Sequence, residues 1–428
     1  MRNIKVKRKE LIKGEISLPG DKSISHRAIM MGSIARGETR VKGLSDCVDC
    51  QNTLNAFLKL GIEIEEGYEG ELTIHGRGLK GLSSVREVID VGNSGTTMRL
   101  LSGILAGQDF SCTITGDESL KKRPMKRIIL PLREMGAKIS SPDDNHPPIT
   151  IVGQKLHPID YLSPVASAQV KSCVLLAGLY AQGRTSLTEP SLSRDHTERM
   201  LRYLGAPIET KGRTIFIEGV TELGAKPITV PGDISSAAFF IIACLLLQNS
   251  QIRIKGVGVN PTRTGILDIL KNMGAEIVIE NVRELCGEPV ADLVVNSSSL
   301  AGVEIGGELI PRIIDEIPVL AVAATQAEGV TEISDARELR VKESDRIGNV
   351  VSQLSRMGAL IEEKEDGMVI SGGKRLVGTS VNSYGDHRMA MALTIAGLIA
   401  DGETTINDVA CINTSFPHFI DILNKMVQ

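Results

Sequence analysis

The residues with the clearest chemical potential lie where predicted helices begin. Residues 19–35 read PGDKSISHRAIMMGSIA, which crowds Lys22, His26 and Arg27 around two serines just ahead of an apolar helical run. Lysine and arginine are disfavoured at the positive end of the helix dipole by roughly 0.3–1 kcal/mol each. The arrangement nevertheless recurs at separate predicted helix starts, at Lys22, Arg27, Arg99, Arg123, Lys171, Arg194, Lys342, Arg346 and Arg388. Because helix starts bind anions and Arg recognises carboxylate or phosphate through two hydrogen bonds, this recurrence predicts a pocket for small anions.

Carboxylates accompany these cations in the second half of the chain. Asp315 and Glu316 directly precede an apolar helix in RIIDEIPVLAVAA, and Glu343 lies between Lys342 and Arg346. A carboxylate held among cations stays ionised or is tuned by burial for proton transfer. Helix capping and structural ion pairing remain equally open for these side chains.

The usual cofactor and metal motifs are absent from the sequence. GEISLPGDKS resembles a phosphate-binding P-loop, but Asp21 precedes Lys22 and the required Gly-Lys-Ser/Thr is missing. No GxGxxG follows a strand, and no HExxH or Cys/His cluster occurs, so we expect neither a cofactor nor a metal. The pair Cys47-Val-Asp-Cys50 stands alone, which favours two ordinary thiols.

Internal repeats indicate the elements that position these residues. A leucine-rich helix that ends in glycine and runs into a strand occurs five times, at Gly61, Gly136, Gly205, Gly274 and Gly358. A second pattern, an apolar helix followed by a turn and a short strand, occurs six times. We therefore predict six repeats of helix, strand, helix and strand pair, the last of which is incomplete. Residues 3–18 are predicted to supply its missing strand pair.

This count predicts two domains. Residues 19–229 would hold the first three repeats, and residues 1–18 with 230–428 would hold the other three. A hinge near residues 18–20 and 227–231 would then lie beside a shared cleft.

Composition narrows the class of function. The chain has 428 residues, a net charge of −4 and only 3 % aromatic residues, which argues against binding to nucleic acid. Seven scattered cysteines and the lack of an apolar signal or membrane-spanning run favour a reduced, cytoplasmic protein with no membrane contact.

Taken in order, the motifs resemble the 5-enolpyruvylshikimate-3-phosphate (EPSP) synthase family over essentially the whole chain. They are GDKSISHR, GNSGTTMR, GDESLKKRPM, SAQVKS, SRDHTERM, PGDISSAA, DEIPVLAVAA, LRVKESDRI and GDHRMAMA. The resemblance implies an α/β fold of two similar domains, each with three βαβαββ-type repeats about a pseudo-threefold axis. It also implies a monomeric enzyme without a cofactor that transfers the enolpyruvyl group of phosphoenolpyruvate to the 5-hydroxyl of shikimate 3-phosphate.

The resemblance assigns roles to individual residues. Shikimate 3-phosphate would be bound by Lys22, Ser23, Arg27, Ser167, Gln169, Arg194, Asp315 and Lys342. Phosphoenolpyruvate would be bound by Lys22, Asn93, Gly95, Arg123, Gln169, Arg346 and Arg388. Asp315 would accept the 5-hydroxyl proton, Glu343 would protonate the methylene carbon, and Lys22 would stabilise the leaving phosphate.

The chain also departs from common family patterns. Thr414 stands where many members carry lysine, and Ala168 replaces a serine between Ser167 and Gln169. Together with GTTMRLL, RDHTE and NPTR, these features resemble the members that tolerate the inhibitor glyphosate, so we expect tolerance here.

Two other functions compete with this interpretation. Enolpyruvyl transfer to a UDP-N-acetylglucosamine uses the same fold, usually with a reactive cysteine on a loop, whereas Cys112 lies in the strand-like SCTIT. A non-catalytic repeat scaffold that binds polyanions would need a basic surface and would bind more weakly in salt.

Overall fold

The computed structural model describes residues 3–428 and divides into two compact units. Unit A comprises Gly20–Val230 and Glu284–Glu288, and unit B comprises the remaining described residues. Each unit has its own hydrophobic core. No helix among residues 3–428 is both long and apolar enough to cross a lipid bilayer.

The chain begins with β1 (Asn3–Lys7) and β2 (Lys13–Ser17), which belong to unit B. The helices of unit A are α1 (Lys22–Ile34), α2 (Val48–Lys59), α3 (Gly95–Ala106), α4 (Lys126–Glu134), α5 (Ala168–Gly178) and α6 (His196–Tyr203). Its strands are β3 (Arg36–Lys42), β4 (Glu63–Glu66), β5 (Leu72–Arg77), β6 (Ile89–Asp90), β7 (Ser111–Thr115), β8 (Lys138–Ser140), β9 (Ile149–Val152), β10 (Asp160–Leu162), β11 (Arg184–Thr188), β12 (Ile208–Lys211), β13 (Thr214–Glu218) and β14 (Ile228–Thr229).

The later helices, all in unit B, are α7 (Ile234–Leu246), α8 (Gly265–Asn272), α9 (Ile310–Ile313), α10 (Ile317–Gln326), α11 (Arg346–Arg356), α12 (His387–Ile399) and α13 (Phe419–Met426). The later strands are β15 (Gln251–Gly258), β16 (Ile277–Leu285), β17 (Glu288–Asn296), β18 (Glu304–Ile305), β19 (Val330–Ile333), β20 (Leu360–Glu363), β21 (Met368–Ser371), β22 (Ser380–Asn382) and β23 (Glu403–Asn407). The tip of the β16–β17 hairpin is the part assigned to unit A.

One strand order recurs in the five four-stranded sheets. In β6-β7-β9-β8, the short β6 lies parallel to β7, and β9 and β8 follow antiparallel. The orders β14-β3-β5-β4, β10-β11-β13-β12, β16-β17-β15-β2 and β18-β19-β21-β20 have the same arrangement, each with one parallel edge pair. The repeat is therefore βαβαββ, as in β6-α3-β7-α4-β8-β9.

The N-terminal strands divide between two sheets. β1 pairs antiparallel with β23 and completes the sixth sheet, in the order β1-β23-β22, as expected from the sequence. β2 instead pairs parallel with β15 in the fourth sheet, so its predicted place in the sixth is wrong. The reason is that the fourth repeat has no parallel edge strand of its own. The first repeat has the same gap, which β14 fills by pairing with β3.

Two kinds of helix build each repeat. The first helices α1, α3 and α5 in unit A, and α7, α10 and α12 in unit B, are buried over nearly their whole length. Beyond the charged residues of the first two turns, their sequences are apolar or small on all sides, which is the pattern of a buried helix. The second helices, such as α4 and α11, are amphipathic and bury one face. The starts of the buried helices carry the chemistry-bearing side chains.

Candidate functional site

The start of α1 fixes Lys22 and Arg27. Asp21 caps the helix by accepting a hydrogen bond from the Ile24 amide at 2.9 Å. Gly20 permits this turn, because a Cβ there would lie 1.8 Å from the Gly43 carbonyl oxygen. Lys22 Nζ lies 2.9 Å from Asp49 Oδ2 at the start of α2, and both side chains are largely buried.

Arg27 is anchored more deeply than its predicted role suggests. Its Nε donates to Thr197 Oγ1 at 2.7 Å, its Nη2 to Ser172 Oγ at 2.8 Å, and its Nη1 to the Ser23 carbonyl at 2.8 Å. Burial lowers the pKa of Arg27 to about 10, and the nearby positive charge of Arg194 acts in the same direction. Arg27 thus ties α1 to α5 and α6, with Ser23 and Arg194 beside it.

His26 does not belong to the cationic set. Its ring is completely buried, and Nδ1 lies 2.6 Å from Thr53 Oγ1. Burial, followed by the charge of Lys22, holds the pKa of His26 well below its usual value. The imidazole is therefore neutral at pH 7 and acts as a packed polar group.

A second cluster in unit A joins the start of α3 to that of α5. Arg123 Nη2 donates to Asn93 Oδ1 at 2.6 Å, and Arg99 Nη1 donates to Gln169 Oε1 at 2.6 Å. A Cβ on Gly95, the first residue of α3, would lie 2.8 Å from Arg99 Nη1 and 3.3 Å from Arg123 Nη1. The two guanidinium groups and the α3 start therefore converge on one point, which suits a compact anion.

Two residues of α5 have contrasting roles. Ser167 caps the helix by accepting from the Val170 amide at 3.4 Å, next to Gln169. Lys171, one of the helix-start cations, is instead buried, with Nζ 2.8 Å from both Glu189 Oε2 and Glu198 Oε1. Burial alone would lower the pKa of Lys171, but the two carboxylates outweigh it and raise the pKa. Lys171 is thus part of a structural ion cluster.

In unit B the central feature is Arg346, the first residue of α11. Its side chain is buried and contacts three carboxylates: Nε lies 2.8 Å from Asp386 Oδ2, Nη2 lies 2.6 Å from Glu343 Oε2, and Nη1 lies 3.3 Å from Asp315 Oδ1. Burial opposes its charge, but Asp386 and the other carboxylates outweigh it, so the pKa of Arg346 lies above its ordinary value. Both predicted proton-transfer carboxylates thus contact one guanidinium.

Arg388 approaches Asp315 from α12. Its Nη1 donates to the Asp315 carbonyl at 3.0 Å, and its Nε lies 3.5 Å from Asp315 Oδ1. The start of α12 is capped by Asp386, which accepts from the Arg388 amide at 2.9 Å. Asp386 therefore positions both Arg346 and Arg388.

Lys342 and Thr414 complete the predicted set in unit B. Burial lowers the pKa of Lys342, and Asp315 is the strongest of the charges that oppose the shift. Thr414 Oγ1 lies 3.4 Å from His387 Nδ1 at the start of α12 and donates to the Cys411 carbonyl at 2.7 Å. The position that departs from the family pattern therefore lies beside His387, the residue before Arg388.

Sequence reasoning did not identify Asp49 or Asp386, and it named Arg99 and Glu316 without assigning a substrate to either. Glu316 is buried and accepts a hydrogen bond from Ser235 Oγ, with Arg388 Nη1 3.9 Å away. The sequence could have indicated Asp386, because GDHR places an acidic helix cap shortly before Arg388. No such pattern marks Asp49, since only the fold brings α2 to Lys22.

The competing function, enolpyruvyl transfer to a UDP-N-acetylglucosamine with a reactive cysteine, is not supported at Cys112. This thiol is buried in β7, and burial raises its pKa to about 11. A thiol that holds its proton at neutral pH is a poor nucleophile.

Comparisons with known proteins agree with this geometry. The family model described as EPSP synthase (3-phosphoshikimate 1-carboxyvinyltransferase) matches residues 6–423. A 3-phosphoshikimate 1-carboxyvinyltransferase of Geotalea uraniireducens (strain Rf4) is 56% identical over 429 residues, covering 100% of both chains. One of Bacillus cereus (strain B4264) is 52% identical over 418 residues, covering 97% of each.

A solved structure of EPSP synthase from Acinetobacter baumannii superimposes with a TM-score of 0.90 at 45% identity, covering 100% of this chain and 98% of that one. These matches confirm the predicted α/β fold class and the family resemblance drawn from the nine motifs. The chain belongs to the EPSP synthase family.

Proposed function

We propose that this chain transfers the carboxyvinyl group of phosphoenolpyruvate to the 5-hydroxyl of shikimate 3-phosphate and releases inorganic phosphate. The observation that carries the proposal is Arg346, a buried guanidinium that contacts Asp315 and Glu343 together. Family membership agrees with it. The enzyme supplies charge and two proton-transfer groups, and no step needs a cofactor.

Anion binding is assigned first to unit A. Lys22, Ser23, Arg27, Ser167, Gln169 and Arg194 bind shikimate 3-phosphate in this proposal. Lys22, Asn93, Gly95, Arg123 and Gln169 bind phosphoenolpyruvate. The support is that Gly95 leaves the backbone at the start of α3 open to an anion while Arg123 lies beside it. Charge-assisted hydrogen bonds of this kind are roughly twice as strong as neutral ones.

Proton transfer is assigned to unit B. Asp315, a further shikimate 3-phosphate ligand with Lys342, accepts the 5-hydroxyl proton as the oxygen attacks C2 of phosphoenolpyruvate. Glu343 gives a proton to the methylene carbon, which becomes a methyl group. Arg346 and Arg388 bind phosphoenolpyruvate. Because their positive charge is then shared with the substrate, they stabilise the Asp315 carboxylate less, and Asp315 accepts a proton more readily.

The tetrahedral adduct then collapses. Glu343, ionised after the first step, takes a proton back from the methyl group, the C2–C3 double bond re-forms, and the C2–O bond to phosphate breaks. Lys22 and the arginines stabilise the negative charge that moves onto the departing phosphate, which is electrostatic catalysis by preorganised groups.

The test is phosphate release from phosphoenolpyruvate with and without shikimate 3-phosphate, in the wild type and in Asp315→Asn. We expect release only with the acceptor, and a fall in kcat of roughly 10²–10⁴ in the variant, the usual contribution of a general base. The exposed Asp109, changed to Asn, is the matched control and keeps full turnover. Equal release without acceptor, undiminished turnover in Asp315→Asn, or preferred transfer to UDP-N-acetylglucosamine would contradict the proposal.

We further propose that the enzyme works as a monomer in the cytoplasm. All seven cysteines are free thiols, which fits a reducing compartment. Light scattering on the purified protein tests the first statement, and cell fractionation tests the second.

A further inference from the structure

Unit B buries one further arginine close to the residues assigned to substrate. Arg263 belongs to the segment NPTR between β15 and α8, to which the proposed function gives no role. The residue is only 2 % exposed. A buried guanidinium costs free energy unless carboxylates and hydrogen-bond acceptors surround it. The groups around Arg263 therefore indicate what this cation does.

These groups come from the starts of two buried helices. Arg263 Nη2 donates to Ser235 Oγ at 2.5 Å, in the first turn of α7. The same nitrogen lies 3.7 Å from Oδ1 of Asp233, the cap of α7, and 3.7 Å from Oε1 of Glu316, which directly precedes α10. Ser235 Oγ in turn donates to Glu316 Oε1. One serine hydroxyl thus joins the Arg263 guanidinium to the Glu316 carboxylate.

Glu316 connects Arg263 to the assigned site. Its carboxylate is buried, and Oε1 lies 3.9 Å from Arg388 Nη1 as well as 3.7 Å from Arg263 Nη2. The other oxygen, Oε2, is buried without a hydrogen-bond partner among residues 3–428. The negative charge of Glu316 is therefore balanced through Oε1, by one arginine on either side.

Arg388 is oriented by Asp315 rather than by Glu316. Its Nη1 donates to the Asp315 carbonyl at 3.0 Å, and its Nε lies 3.5 Å from Asp315 Oδ1. At 3.9 Å, Glu316 Oε1 attracts the same Nη1 without accepting a hydrogen bond from it. Two neighbouring acidic residues thus compete for one guanidinium. The balance depends on how far the charge of Glu316 is neutralised from its other side.

We propose that Arg263 is a positioning residue for phosphoenolpyruvate, because it neutralises Glu316 and so leaves Arg388 at Asp315 and available to the substrate. The inference rests on the proposed role of Arg388 in binding phosphoenolpyruvate. Without the charge of Arg263, Glu316 is a buried carboxylate with Arg388 as its neighbouring cation. A buried charge that has lost its partner is costly, so Arg388 moves toward Glu316 and away from the substrate.

Arg263→Gln tests this step, since glutamine keeps a hydrogen-bond donor for Ser235 but carries no charge. Loss of one charge-assisted hydrogen bond corresponds to a rise in KM of roughly tenfold or more. We expect that rise for phosphoenolpyruvate, and a smaller one for shikimate 3-phosphate, which Arg388 does not bind in the proposed function. A purely structural role would instead leave an unfolded fraction, which lowers the apparent kcat and leaves both KM values unchanged.

A second substitution should reverse the effect. When Glu316→Gln is added to Arg263→Gln, no carboxylate remains to draw Arg388 away, so the KM of phosphoenolpyruvate should return to nearly the wild-type value. Glu316→Gln alone should not raise this KM. Ser235→Ala is a milder variant that keeps every charge and removes only the bridging hydroxyl, and it should raise the same KM several-fold.

Arg253→Gln is the matched control in the same unit. Arg253 Nη1 lies 2.7 Å from Glu280 Oε2, but both side chains are more than a third exposed and neither contacts an assigned residue. Both KM values should therefore stay at the wild-type level. Thermal unfolding of every variant shows what fraction of each is folded at the assay temperature.

The outcomes separate failure of this inference from failure of the proposed function. A wild-type KM of phosphoenolpyruvate in folded Arg263→Gln or in Ser235→Ala overturns the positioning role, as does a raised KM that persists in the double variant. If Arg388→Met still raises this KM, the proposed function stands. A wild-type KM in Arg388→Met overturns the assigned role of Arg388 and, with it, this inference.

Discussion

Gly95→Ala places one methyl group where the two arginines of unit A converge. The added Cβ would lie 2.8 Å from Arg99 Nη1 and 3.3 Å from Arg123 Nη1. Real Cβ contacts are not that short, so the Arg99 guanidinium must move. Because the obstacle is the end of a flexible side chain, the fold absorbs the change, and alanine in place of glycine in a helix favours folding by up to about 1 kcal/mol.

The expected loss of substrate affinity follows from the hydrogen bonds that Arg99 and Arg123 make in the wild type. Displacing them disturbs their hydrogen bonds to Gln169 and Asn93, both 2.6 Å long, and blocks approach of an anion to the α3 start. Losing one hydrogen bond to a charged group costs about 1.5–3 kcal/mol, which is a factor of roughly 10–150 in binding. We expect the KM of phosphoenolpyruvate to rise by that factor, with a smaller rise in the KM of shikimate 3-phosphate, which shares only Gln169 with this cluster.

Steady-state kinetics with each substrate varied in turn provides the assay, and thermal unfolding checks the fold. Gly224→Ala is the matched control, since its added Cβ would have no neighbour closer than 3.9 Å. An unchanged KM for phosphoenolpyruvate in Gly95→Ala would refute the placement of this substrate at α3. An equal rise for both substrates would show a general distortion instead.

Three further predictions use the same assays. Asp386→Asn keeps the shape but weakens the hold on Arg346, so the KM of phosphoenolpyruvate should rise several-fold; unchanged kinetics would contradict this positioning role. Lys342 loses its proton at a lower pH than an ordinary lysine, so binding of shikimate 3-phosphate should weaken as pH rises toward 10.5, and Lys342→Met should flatten that profile. Lys171→Met leaves Glu189 and Glu198 buried without their cation, which should lower the free energy of unfolding in urea by about 3–5 kcal/mol; a purely kinetic effect would show that Lys171 contacts substrate.

Expected glyphosate tolerance stays a prediction. Thr414, one of the departures on which the expectation rests, lies beside His387 at the start of α12. Inhibition constants measured against phosphoenolpyruvate test it: tolerance requires glyphosate to bind far more weakly than that substrate, and comparable affinities would contradict it.

Much of the fold is readable from the sequence because local rules repeat. Glycine after a leucine-rich helix, and a capping Asp or Ser before an apolar one, mark helix ends independently of the rest of the chain. The pairing of a strand with the sheet of a different repeat does not follow from local sequence. Nothing within residues 13–17 indicates that β2 pairs with β15, because that pairing depends on an edge left open by a distant repeat.

The sequence predicted which charged residues belong to the site but not which side chains they contact. Position at a helix start marked Lys22, Arg346 and Lys171 alike. Only their neighbours separate them, since Lys171 contacts two structural carboxylates while Arg346 contacts those assigned to proton transfer. Side chains such as Asp49 come from elements remote in sequence, so no spacing rule identifies them.

This pairing of charges limits how readily a small anion alone can use the helix-start cations of unit B. The charge of Arg346 is already shared by Asp315, Glu343 and Asp386. A lone phosphate gains little from a guanidinium whose donors are engaged, because it must compete with carboxylates that are held in place. A ligand gains only if its own groups also use the proton-transfer carboxylates, as a hydroxyl beside Asp315 or a methylene beside Glu343 does. In the proposed mechanism binding and chemistry are thereby coupled, since the groups that restrain the cations are those assigned to move the protons.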